Sequence, residues 1–326
     1  MAAERPEVLF IGPPRTHLLD QLAKAFTVHQ VTNQNDVNDG LLARLAPQLR
    51  YVAVGGHPGS IDGKLMEKLK KLEIVSSFGV GYDNVDTKYA RAHGIVVTNT
   101  PEVLNEEVAD TALGLLLCTV REFPQADRYL RAGRWAQEGD YRLTQSLRDR
   151  TVGMVGLGRI GKAIARRLDA MRVPVVYHTR RAQADVPYRH YPNLFDMARE
   201  VDVLLVITPG GTETRNLINA QILEALGPNG ILVNMSRGSV VDEPALIKAL
   251  AERKILAAGL DVFANEPRVP KELIEMDQVV LFPHLGSASI HTRQAMEQLV
   301  VDNLLAWNAG KPPLTPVPET PPQARH

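Results

Sequence analysis

The chain has 326 residues, 44% of them hydrophobic, and its 37 Lys and Arg balance 37 Asp and Glu. That length exceeds one ordinary core and sets two domains as the expectation, while neutrality gives no basic face and argues against nucleic acid as a partner. No apolar run reaches the length of a membrane span, and the N-terminal MAAERPEVLF lacks the apolar core of a signal peptide, so a cytoplasmic setting is expected.

Val8–Ile11 reads as a strand and is followed by a helix near His17–Ala25. Tyr51–Val54 is a second strand, ending in the turn Gly55-Gly56-His57-Pro58-Gly59. A helix over Lys64–Leu72 leads to a strand over Glu73–Phe78, which ends in Gly79-Val80-Gly81. Asp86–His93 reads as a helix with Gly94 at its C-cap, and Ile95–Thr98 as the next strand. Such alternation predicts a parallel, doubly wound sheet. Asn105–Val120 is an apolar helix, and the lone cysteine within it, Cys118, reads as a small buried hydrophobe. Phe123–Arg150 has no β/α rhythm and reads as an arm or extended loop against a partner subunit.

From Thr151 the rhythm restarts, with strands expected at 151–155, 173–178, 203–207, 231–234, 256–260 and 279–282. Helices are expected at 159–171, 193–199, 215–226 and 243–253, with a closing helix over Ser287–Ala309. The tail 311–326 carries six prolines and is expected to be extended or disordered.

The strand at 151–155 runs into Gly156-Leu157-Gly158-Arg159-Ile160-Gly161 and then a helix and a second strand. That unit binds a dinucleotide pyrophosphate: the glycines allow a tight turn, close backbone approach and close helix packing, and the helix N-terminus faces the anion. After the second strand, where an NAD site places an acid for the ribose 2′-hydroxyl, the chain has His178-Thr179-Arg180-Arg181. Two guanidiniums suit a 2′-phosphate, so NADP is the expected cofactor, with NADPH preferred and NAD possible; paired surface arginines also occur simply as solvated charge.

Three ionisable residues fall just past strand ends, where open parallel sheets gather ligand groups: Arg237, Glu266 and His284. Arg237 offers a planar fork for a carboxylate and the adjacent ketone oxygen. His284 carries an imidazole, which exchanges a proton near neutrality, and Glu266 suits the task of holding its second ring nitrogen. A single His after a strand is ordinarily a loop or core residue; three such groups in one dinucleotide-binding domain favour catalysis. No metal site is expected.

These residues bring a family into view. The chain resembles the D-isomer-specific 2-hydroxyacid dehydrogenases, nearest to the NADPH-preferring glyoxylate/hydroxypyruvate reductases and the hydroxyphenylpyruvate reductases. The matching segments are 75–83, 98–101, 155–161, 233–243, 259–267 and 282–289. The resemblance implies that Arg237, Glu266 and His284 are the catalytic Arg, Glu and His. It further implies that Val80 and Gly81 hold the substrate carboxylate through backbone N–H groups and that Gly55 and Gly56 border the substrate. Leu157–Ile160, Thr179–Arg181, Met235 and Asp261 would contact the cofactor; Asp261 also reads as a strand-end cap.

The implied fold is α/β with two doubly wound parallel-sheet domains, a Rossmann cofactor domain inserted into a flavodoxin-like substrate domain. Residues 1–102 and 287–310 would form the substrate domain, 103–286 the cofactor domain, 123–150 the exchanged arm of a homodimer, and 311–326 the tail. Reduction of a small 2-oxo acid, with closure of the domains around it, is the implied activity. Two alternatives remain open in the sequence: an NAD-dependent dehydrogenase of another D-2-hydroxy acid, and a non-catalytic NADP-sensing protein on the same fold.

Overall fold

A computed structural model of the chain describes residues 5–56 and 58–322. His57 of the Gly55–Gly59 turn and the last four residues of the tail lie outside the described residues. The chain forms two compact units, one from residues up to Leu104 and from Ser289 onward, the other from Asn105–Ala288.

In the first unit the chain alternates β1 (Glu7–Ile11), α1 (Thr16–Ala23), β2 (Thr27–Val31), α2 (Asp39–Leu45), β3 (Tyr51–Val54), α3 (Gly63–Lys68), β4 (Ile74–Ser77), α4 (Thr87–Ala92) and β5 (Val96–Thr98). All strand pairs are parallel, in the order β2-β1-β3-β4-β5. This is the flavodoxin-like winding. The continuous apolar runs of β1 and β3 are buried along almost their whole length, because helices cover both faces of such a sheet. Asp62 and Asp86 set the starts of α3 and α4 by accepting the backbone N–H of Leu65 and Tyr89.

The second unit opens with α5 (Asn105–Arg121), α6 (Phe123–Arg131) and α7 (Arg134–Glu138). It continues β6 (Val152–Val155), α8 (Arg159–Ala170), β7 (Val175–His178), β8 (Arg189–His190), α9 (Leu194–Glu200), β9 (Val203–Val206), α10 (Ala220–Leu226), β10 (Ile231–Asn234), α11 (Glu243–Ala251), β11 (Ala257–Leu260), α12 (Lys271–Glu275) and β12 (Val279–Leu281). The sheet order is β12-β11-β10-β9-β6-β7-β8, all parallel. Counted from β6, this is the Rossmann order with one further strand. The chain then returns to the first unit through α13 (Ile290–Asn308), started by Ser289, whose hydroxyl accepts the Thr292 N–H.

Several elements differ from expectation. The segment 123–138 is two short helices; only 139–150 is irregular. The helix expected from 215 begins at 220, because Asn219 caps it and accepts the N–H groups of Gln221 and Ile222. The described part of the tail, 311–322, is extended but pinned, not disordered. Pro316 bridges antiparallel to Thr98, Val317 N donates to Val97 O at 2.9 Å, and Val317 is 1% exposed. Proline suits this role, since an edge segment has no use for a full set of N–H donors. Cys118 is half-buried, and burial pushes its thiol pKa up. No helix among the described residues is long and apolar enough to cross a membrane.

Candidate active site

The Gly-rich turn joins β6 to α8. Gly156 has φ +98°, and a Cβ there would sit 3.0 Å from Ile207 O, so this corner requires glycine. A Cβ on Gly161 would lie 2.9 Å from Gly156 O, so the helix packs directly on the turn. Gly158, the N-cap of the 12-residue α8, supplies no side chain to the first N–H groups, and nothing lies within 4 Å of where its Cβ would be. The helix N-terminus therefore presents uncapped N–H donors to open space in front of Gly158, and a pyrophosphate fits that cradle. Leu157 is buried, and its carbonyl accepts the Gln183 side chain at 2.9 Å; Arg159 and Ile160 form the first turn of α8.

Past β7 the segment Thr179-Arg180-Arg181 is folded on itself, with Thr179 Oγ1 donating to Arg181 O at 2.7 Å. The Arg180 guanidinium pairs with Glu213 at 2.7 Å, both largely exposed. An ion pair this exposed is held by about 1 kcal/mol or less, so a dianionic phosphate competes for Arg180 readily. Arg181 is exposed and its side chain has no partner among the described residues. Two cations, with no acid among residues 178–181, fit a phosphorylated ribose.

At the carboxyl ends of β10, β11 and β12 stand the three ionisable residues. His284 Nδ1 and Glu266 Oε2 are 2.8 Å apart. An ionised carboxylate only accepts, so the ring donates from Nδ1 and leaves Nε2 for another partner. Glu266 is fixed by the Phe263 N–H, which donates to its other oxygen at 3.1 Å. The Glu266 side chain is 18% exposed and that of His284 44%, so the imidazole reaches solvent while its support stays covered. His284 has φ +52°, a left-handed conformation for a residue with a side chain, and its N–H donates to Asp261 O and Phe282 O.

Asp261, 2% exposed, accepts the backbone N–H groups of Leu285 and Gly286 with its two carboxylate oxygens. Burial pushes its pKa up, partly countered by those two amides and the His284 ring. Its carboxylate is thus spent on the His284 loop, as the strand-end cap reading anticipates. Met235 is 6% exposed in the turn after β10. Arg237 donates from Nη1 to Ser236 O at 2.8 Å.

Three residues that position this site escaped the sequence reading. Asn234, 1% exposed, accepts from Ser236 N and Oγ and donates to Arg237 O, so it shapes the turn carrying Arg237. Gly238 packs so tightly that a Cβ would fall 1.9 Å from Phe263 C, and one on Gly210 would meet Arg237 Cγ at 2.8 Å. Only Asn234 left a signal: a polar residue closing a wholly buried apolar strand.

In the first unit, Gly55 and Gly56 follow β3, and Gly79-Val80-Gly81 follow β4. Gly55 is buried and Gly56 has φ +78°. Gly79 N donates to Thr100 Oγ1 at 3.0 Å, and Asn99 Nδ2 holds Val80 O at 2.9 Å. The N–H groups of Val80 and Gly81 have no acceptor among the described residues, which leaves two adjacent donors at a half-buried turn. Among the described residues there is no cluster of metal-ligating side chains.

Comparison with known proteins adds three findings. Residues 113–286 match the family model described as D-isomer specific 2-hydroxyacid dehydrogenase, NAD binding domain. A glyoxylate/hydroxypyruvate reductase of Arabidopsis thaliana and a hydroxyphenylpyruvate reductase of Plectranthus scutellarioides are each 44% identical over 310 residues, covering 95% of this chain and 98% of theirs. The crystal structure of an NADPH-dependent glyoxylate/hydroxypyruvate reductase from Sinorhizobium meliloti, in complex with NADP and malonate, is similar with a TM-score of 0.94 and 49% identity. It covers 99% of this chain and 100% of that one.

Proposed function

The chain belongs to the D-isomer specific 2-hydroxyacid dehydrogenases, and on that premise we propose that it is an NADPH-dependent reductase of a small 2-oxo acid, glyoxylate or hydroxypyruvate in type. The observation that carries the reading is the 2.8 Å bond between His284 Nδ1 and Glu266, which fixes the ring and leaves Nε2 to work.

The residues divide the work as their geometry suggests. Gly156–Gly161 and the N-terminus of α8 hold the pyrophosphate, with Leu157, Arg159 and Ile160 lining it. Thr179, Arg180 and Arg181 hold the 2′-phosphate, and Met235 and Asp261 border the nicotinamide end. When bound, the dinucleotide supplies the hydride that reduces the ketone. Arg237 and the N–H groups of Val80 and Gly81 hold the carboxylate, with Gly55 and Gly56 bordering the substrate. Arg237 also draws charge from the ketone oxygen, a task for a cation whose donors lie in one plane. His284 protonates that oxygen from Nε2. Glu266 keeps the imidazolium oriented and offsets its charge. Oxidation of the hydroxy acid retraces the same steps.

The domain roles follow: 1–102 and 287–310 serve the substrate, 103–286 the cofactor. The arm 123–150 carries exposed Phe123, Leu130, Trp135 and Leu143, the last 99% exposed, which supports a homodimer built through it. A cytoplasmic setting fits a chain whose one cysteine has no intrachain partner.

The test follows NADPH and NADH oxidation separately against glyoxylate and hydroxypyruvate. Turnover with NADPH, and a shift toward NADH in the Arg180→Ala/Arg181→Ala double variant, are expected. No turnover with either acid sinks the reaction. An NADH preference in the unmodified enzyme sinks the cofactor assignment.

A further inference from the structure

Arg15, between β1 and α1, is placed at the same carboxyl edge of the five-stranded sheet as the two turns given above to the substrate. Its Nε donates to Gly55 O at 2.9 Å, and its guanidinium lies 4.0 Å over the centre of the Phe78 ring, two residues before Val80. Nη2 falls 3.8 Å from the position a Cβ on Gly56 would take. One side chain thus touches both turns.

What it leaves unspent is the informative part. An arginine has five N–H donors. Here only Nε is hydrogen-bonded among the described residues. Glu297 Oε1 is 3.8 Å from Nη1, an ion pair too long for a hydrogen bond, and the other Glu297 oxygen is taken by His17 Nδ1 at 3.0 Å. The Arg15 side chain is 21% exposed, and burial weighs against its charge, with Glu297 restoring part of the loss. A second guanidinium, that of Arg293, lies 5.3 Å from the centre of the same ring. Glu297 thus serves both Arg15 and His17, and of these two it hydrogen-bonds only His17. A half-buried, rigidly stacked guanidinium with idle donors is costly unless an oxygen arrives to take them.

Resting on the reductase reading, we infer that Arg15 is a specificity-determining residue: its free Nη donors take an oxygen carried on the carbon beyond the ketone. The preferred substrate class is then 2-oxo acids bearing a 3-hydroxyl or a comparable polar group, ahead of unsubstituted glyoxylate and of aryl-bearing acids. Phe78 serves as the platform that holds the guanidinium flat, and the Gly55 carbonyl sets its rotation.

The test compares kcat/KM for hydroxypyruvate and glyoxylate in Arg15→Met. One charge-assisted hydrogen bond predicts a loss of about 10- to 100-fold for hydroxypyruvate. Glyoxylate, with no oxygen to offer at that carbon, is expected to change by less than about threefold, and its turnover doubles as the control for folding. If Arg15→Met fails to fold, Arg15→Lys carries the same comparison, because a single ammonium cannot hold Gly55 and reach a substrate oxygen at once. Equal losses for both acids, or none for either, overturn the assignment in favour of a structural clamp. Absence of turnover by the unmodified enzyme is a separate result, and it overturns the reaction on which the assignment rests.

Discussion

Replacing Asp261 by alanine is expected to loosen the loop that carries His284 without touching the imidazole itself. The carboxylate takes two backbone N–H groups, those of Leu285 and Gly286, and its own backbone carbonyl takes a third from His284. Alanine keeps the third and orphans the first two. Each orphaned donor costs about 1–3 kcal/mol if water stays away. Leu285 is 41% exposed, so water replaces one bond cheaply, whereas Gly286 is buried. Burial weighs against the charged form of Asp261 and pushes its pKa up, so the variant also removes a desolvation penalty. The net loss is about 2 kcal/mol, which for a unit of this size lowers its melting temperature by roughly 4–8 °C. The left-handed φ of His284 is the strain that this loop stores, and with the cap gone the ring drifts from Glu266. A displacement near 1 Å costs about 100-fold in rate. Scanning calorimetry and kcat with the better oxo acid, at saturating NADPH, measure both effects. An unchanged melting temperature together with an unchanged kcat refutes the reasoning.

Gly210→Ala places a methyl 2.8 Å from Arg237 Cγ; the arginine must swing, and KM for the oxo acid should rise about tenfold while NADPH affinity, read by fluorescence quenching, holds. Tyr82, Tyr141 and Tyr188 have phenol pKa values pushed up to about 12, by burial first and then by Glu319, Glu122 and Asp169. In the window from about 10 to 12 the folded chain holds protons that the unfolded chain has lost, so stability is intact below pH 10 and falls as pH rises through 12. Absorbance titration at high pH should show a late-ionising group of tyrosines that includes these three, with early ionisation of all eight contradicting the structure. Truncation after Gly310 removes the Thr315 bonds to Asn99 and Asn303, the Tyr82–Glu319 contact and buried Val317, and should destabilise the first unit by about 3 kcal/mol or more. Equal melting of the shortened and full chains is the opposing result.

Legibility in the sequence tracked burial. The apolar runs of β3, β6, β9 and Ile231–Val233 of β10 were plain, as was the turn at Gly156–Gly161, because strand, glycine spacing and helix agree locally. β2 went unread: Thr27–Val31 is an edge strand, none of its residues is fully buried, and its apolar signal is diluted by His29 and Gln30. β8 has only two residues, and α2 and α12 are short helices that propensity does not separate from loops. At the site, Arg237, Glu266 and His284 were legible because their side chains carry chemistry. Gly210, Gly238 and Asn234 were not, since their meaning lies in what packs against them from distant parts of the chain. For the tail the sequence left extended and disordered both open, because proline richness suits disorder and a docked edge segment equally.

The return of the chain to its first unit orders events during synthesis. β1 to β5 leave the ribosome first, yet the Ser76 hydroxyl bonds Val300 O, the Tyr51 hydroxyl bonds Asn308, and Glu73 receives the Trp307 indole N–H. Those partners are made about two hundred residues later, after the whole of 105–288 has emerged and is free to fold as a contiguous body. Until then the first sheet has only α1 on the face that α13 will share, and the nascent chain spends that interval with apolar surface open to self-association.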